Sequence, residues 1–124
     1  MPNECQNPNK ENQKKYDLAE RTAKFAEDII DLVKSLPDTP INRNFIIQIL
    51  KSSSSIAANY EEADGAESKK DFRHKIGICK KEAKETRLWL RLIAKANPDK
   101  AIKCREYWQE AQELVLIFSS ILNK

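Results

Sequence analysis

From residue 17 onward the chain carries four apolar stripes, each with helical spacing. The first joins Leu18, Thr22, Phe25, Ile29, Leu32 and Leu36 in steps of four and three, one face of an α-helix. Ala26, Ile30 and Val33 widen it. Pro37 ends it, because the residue before a proline avoids helical ψ. The pattern predicts a helix over 17–36.

Thr39-Pro40 then reads as a helix start, with the threonine as N-cap and the proline at the first helical position, where a missing N–H costs nothing. Phe45, Ile49, Ser52, Ile56, Asn59 and Ala63 form its stripe, and Gly65 is the expected C-terminal cap. Ser52 to Ser55 are four consecutive serines in mid-helix. A flexible linker is one reading. The stripe runs through them unbroken, which favours small residues that let a neighbouring helix approach.

Ser68, with Asp71 three residues on, has the form of a capping box. Behind it Phe72, Ile76, Cys79, Ala83, Thr86, Leu90 and Ile93 mark the longest helix, 67–96. Asn97-Pro98 ends it and is positioned to cap the next. The fourth helix, 99–123, has Ala101, Cys104, Trp108, Ala111, Val115, Phe118 and Leu122 on its stripe. Four helices with short connections predict an all-α, antiparallel up-down-up-down four-helix bundle. The mean spacing near 3.5 predicts left-handed packing. Residues 1–16 hold almost nothing apolar before Tyr16 and read as a flexible polar tail, leaving 17–124 as the bundle.

Composition agrees and excludes alternatives. Of 124 residues, 2 are glycine and 5 proline, too few for a loop-rich or all-β chain. No apolar run is long enough to span a bilayer, and the N-terminus has no apolar centre of a signal peptide. The cysteines Cys5, Cys79 and Cys104 are odd in number and form no CxxC. In the predicted hairpin Cys79 and Cys104 differ in height by roughly 16 Å, which excludes a bridge between them. Reduced thiols and a cytoplasmic location are expected.

Catalysis is not expected. Ser-His chemistry has no GxSxG and only one histidine, His74, to act as base. A di-iron bundle site needs two Glu-x-x-His motifs, and here the residue three before His74 is Asp71. Neither a metal nor another cofactor is implied.

Charge changes the picture when divided along the chain. Residues 1–64 carry 8 basic and 11 acidic side chains, residues 65–96 carry 10 and 4, and residues 97–124 carry 4 and 4. The net charge of +3 therefore hides one strongly basic segment. Within it Arg73, Lys80, Lys84, Arg87 and Arg91 share an arc of about 60° on a helix, each one residue past a seam position. Such a row can neutralise phosphates of RNA or DNA. It can equally be a solvated face, or pair with Glu61, Glu62, Asp64 and Glu67.

Two other features are candidates. Asn59 lies on the apolar face of the second helix with Glu62 one turn on, and Glu85 lies near Thr86 on the third. A seam asparagine can set register, or Asn59, Glu62 and Glu85 can form a buried polar network. The fourth helix is apolar nearly all round at Leu114, Ile117 and Ile121, more than one seam needs, so these residues are expected at an oligomer interface.

Residues 55–93 carry a recognisable block. Its pieces are Ser55-Ile56-Ala57-Ala58-Asn59 with Glu61-Glu62-Ala63, Ser68-Lys69-Lys70-Asp71-Phe72, and Lys81-Glu82-Ala83-Lys84-Glu85-Thr86 with Trp89-Leu90. The chain resembles the bacterial family of four helix bundle proteins, which includes proteins encoded in intervening sequences of large-subunit ribosomal RNA genes. Family members with an Asn-x-x-Glu-Gly form carry glycine where this chain has Ala63, which places it in the Glu-Glu-Ala branch. The resemblance implies a homopentamer. A relative in diversity-generating retroelements is an accessory barrel held to bind nucleic acid and a reverse transcriptase. The expected function is thus a non-enzymatic oligomeric accessory protein binding RNA or DNA. The alternative is a scaffold that binds a protein partner and no nucleic acid.

Overall fold

The computed structural model describes residues 17–124, so the tail at 1–16 and Cys5 lie outside the described residues. Those described form four α-helices and one short 3₁₀ turn, with no strand among them. Helix α1 is Leu18–Lys34, α2 Pro40–Asp64, α3 Lys69–Ala96 and α4 Ala101–Leu122.

Local chemistry sets the starts. The Thr39 side chain accepts from the Asn42 N–H, and Ser68 accepts from the Asp71 N–H, as the capping patterns predict. Asp17 does the same for α1, accepting from Glu20. The last junction differs from expectation. Asn97 makes no side-chain cap; Pro98–Lys100 forms a 3₁₀ turn and α4 begins only at Ala101. The Asn97 amide is turned away to Asn42, 55 residues distant, a partner that local sequence does not reveal.

Each helix packs against its neighbours in the chain, and α1 meets α4 over a smaller area. The predicted seams supply most of the core: Phe25 and Ile29 from α1, Ile49 and Ile56 from α2, Ile76, Leu90 and Ile93 from α3, Ala111 and Phe118 from α4 are all buried. Truncating Phe25 or Phe118 to alanine is expected to remove about 3–5 kcal/mol. Ser52 and Ser53 are buried as well, as the close-approach reading requires. The Ser52 hydroxyl lies 2.8 Å from that of Thr86, which also donates to the Glu82 carbonyl, so the polar seam positions are satisfied.

The smaller α1–α4 seam is tied by charge. Arg21 donates to both Glu110 oxygens and to Glu113, each at 2.8 Å. These charge-assisted bonds hold the guanidinium pKa above its ordinary value, Glu110 contributing most. Cys79 and Cys104 are buried free thiols, with Cys79 donating weakly to the Ile56 carbonyl.

Candidate nucleic-acid interface

The five cations of the predicted stripe sit on α3, but the bundle divides them. Arg73 donates to the Leu122 carbonyl at 2.7 Å, satisfying an otherwise open group at the end of α4. Arg87 donates to Gln112 and lies 5.8 Å from the centre of the Trp108 ring, a cation–π contact onto α4. Both are half-buried and brace α3 against α4. Lys84 and Arg91 are exposed and Lys80 half-buried. None of these three pairs with a carboxylate among the described residues.

The stripe is not neutralised by the acidic end of α2 within the chain. Glu62 pairs instead with Lys75, at 2.7 Å, and this bond raises the lysine pKa. Glu61, Asp64 and Glu67 are exposed.

Because Arg73 and Arg87 lean onto α4, the outward line of α3 lies about 40–80° further round the helix, through Lys70, Gly77, Lys81, Leu88 and Lys95. All of these but the half-buried Gly77 are exposed. Lys84 falls between the two lines, and Arg91, in line with Arg73 but exposed, also belongs to the outward face. Lys70, Lys81 and Lys95 lie outside the predicted stripe, since they are away from the seam. The basic content of 65–96 signals them, but which side of the row faces water depends on where α4 sits. His74 is exposed on this face too.

The predicted buried network does not form. Asn59 is half-buried and donates to the Ser55 carbonyl of its own helix at 2.8 Å. Glu62 is exposed and taken by Lys75, and Glu85 is exposed. For Asn59 a carbonyl one turn back is the nearer acceptor. The buried polar pairs are Ser52 with Thr86, both on predicted seams, and Asn42 with Asn97, which no local pattern marks.

Leu114 also departs from expectation: it is wholly buried in this chain's own core and is not available to another. Ile117 and Ile121 pack half-buried against that core. The extra apolar surface of α4 is consumed chiefly inside the bundle. Large apolar side chains that do reach solvent are Ile102, 80% exposed, Ile47, Ile41, Leu116, Leu88 and Ile30.

No helix among the described residues is long and apolar enough to cross a membrane. A bundle of four helices, with a cationic outer face on its longest one, defines the class. The family model for the 23S rRNA-intervening sequence protein matches residues 14–120, and the chain belongs to that family. A solved structure of similar fold is a protein of unknown function from the S23 ribosomal protein family of Bacteroides thetaiotaomicron. It is 29% identical, with a TM-score of 0.74, over 86% of this chain and 98% of that one. No curated protein matches the chain.

Proposed function

We propose that the protein is a non-enzymatic, cytoplasmic accessory protein that holds RNA or DNA on the outer face of α3. The helices would run antiparallel, up-down-up-down with left-handed packing, and assemble as a homopentamer. The observation that carries the binding role is the unneutralised cationic face: Lys80, Lys84 and Arg91 have no carboxylate partner among the described residues. Phosphate contacts position a strand but read no bases, so binding should be tolerant of sequence.

The test is a titration of labelled RNA and DNA duplexes at several salt concentrations. Affinity should fall with salt at a slope of about −0.9 per phosphate neutralised on duplex DNA. Absence of any salt-dependent binding would leave the scaffold reading, a homo-oligomer that binds a protein partner. The exposed apolar side chains Ile102, Ile41, Ile47 and Leu116 favour some assembly under either reading. Sedimentation of the wild type and of Ile102→Asp checks it: the wild type should run as a pentamer and the variant as a folded, smaller species.

A further inference from the structure

Gly77 stands in the interior of α3, where glycine is among the residues least favourable to a helix. Nothing among the described residues requires it. A Cβ built there meets no atom within 4 Å, and its backbone is not in the left-handed region. The missing side chain shapes only the outer surface. Two shallow depressions meet at this point, both bordered by Gly77 and Lys81. Lys70, Arg73 and His74 stand around one, and Lys80, Lys84 and Leu88 around the other.

We propose that Gly77 is the point of closest approach for a nucleic-acid sugar–phosphate backbone lying along this groove. The proposal rests on the nucleic-acid reading above and specifies where the strand runs. From Lys70 to Lys84 the helix rises about 21 Å. That length suits a run of successive phosphates of one strand, and it exceeds what a single phosphate group could occupy. The groove is open along its length, as a polymer requires. Its charge is complementary: Lys70, Lys80 and Lys84 have no carboxylate partner among the described residues, and Lys81 reaches only its neighbour Glu82, at 3.6 Å. Glu85 is the acidic residue at the rim, at the end away from Lys70. A second copy presenting the same face would set lysine against lysine.

Gly77→Ala and Gly77→Leu test this, because the added Cβ has room and both residues favour the helix. Each should raise the melting temperature. Each should also weaken binding of a labelled RNA duplex and the matching DNA duplex, several-fold for alanine and about tenfold or more for leucine. The salt slope should stay as in the wild type, since no cation is removed. Lys81→Gln with Lys84→Gln should instead flatten the slope by about 0.9 for each phosphate no longer neutralised. Wild-type affinity in both glycine variants overturns the proposal. So does a drop in assembled mass on sedimentation with affinity per chain unchanged, which would make the notch an interface between copies. If the wild type itself shows no salt-dependent binding, the nucleic-acid reading fails, and this proposal with it.

Discussion

Asn42 and Asn97 face one another across the bundle and exchange two hydrogen bonds, each amide nitrogen donating to the other's oxygen at 2.9 and 2.8 Å. Both residues are buried. Asn42 donates further to the Pro37 carbonyl, and Asn97 to that of Ile93. One amide pair thus joins the first turn of α2 to the C-terminal cap of α3. Asn42→Ala should strand the Asn97 amide and cost about 1–3 kcal/mol in chemical denaturation. In a double-mutant cycle with Asn97→Ala the two losses should be clearly less than additive.

Asn59 should matter much less. Its hydrogen bond is to its own helix and its side chain is half-buried. Asn59→Leu is expected to change stability by no more than about 0.5 kcal/mol, the usual range for a surface site. A loss of about 2 kcal/mol or more by denaturant titration would restore the buried-network expectation.

The cations of α3 should separate into two kinds. Arg87→Gln gives up the bond to Gln112 and the stacking on Trp108, and should cost about 1 kcal/mol or more. Lys84→Gln, on an exposed side chain, should leave the melting temperature within error. Nucleic-acid affinity should respond in the opposite sense, with Lys84 the more sensitive. Melting curves paired with binding isotherms of the two variants decide this; equal effects on both readouts would remove the distinction.

Burial pushes the Cys79 thiol up to about 12, from an ordinary value of 9.0. The unfolded chain therefore releases this proton first as pH rises. Between about 9 and 12 the unfolded state is favoured progressively, and stability falls with pH. Below about 9 the thiol is protonated in both states and contributes no slope. Replacing Cys79 by alanine should lower stability at neutral pH but remove its share of the alkaline decline. Urea titrations across this pH window give both quantities. At a pH of about 8 the native protein should resist alkylation at Cys79 and Cys104, read by mass spectrometry of the modified peptides.

Most of the fold is legible because its determinants are local. A helical stripe involves residues three and four apart, and a cap involves residues three apart, so Thr39, Ser68 and the four seams can be read directly. Ser52 and Thr86 are already on their seams, and their hydroxyl contact follows once α2 meets α3. The candidate site is only partly legible. Five cations on one arc of α3 are evident, but not that Arg73 and Arg87 are drawn onto α4 while Lys70, Lys81 and Lys95 line the outside. Nor does the glycine at position 77 stand out in the chain, since its significance is the open space above it.

Local order along the chain is enough to specify four helices, their ends to within about two residues, and most residues of the core. How each helix is rotated against its neighbours is settled by packing. A rotation of about 50°, half a residue on a helix, exchanges a bracing arginine for an exposed lysine, and periodicity does not resolve it. For the same reason Leu114 points inward, and Asn97 finds Asn42 instead of capping α4. Each of these depends on atoms tens of residues away, brought near by the packing of the whole bundle.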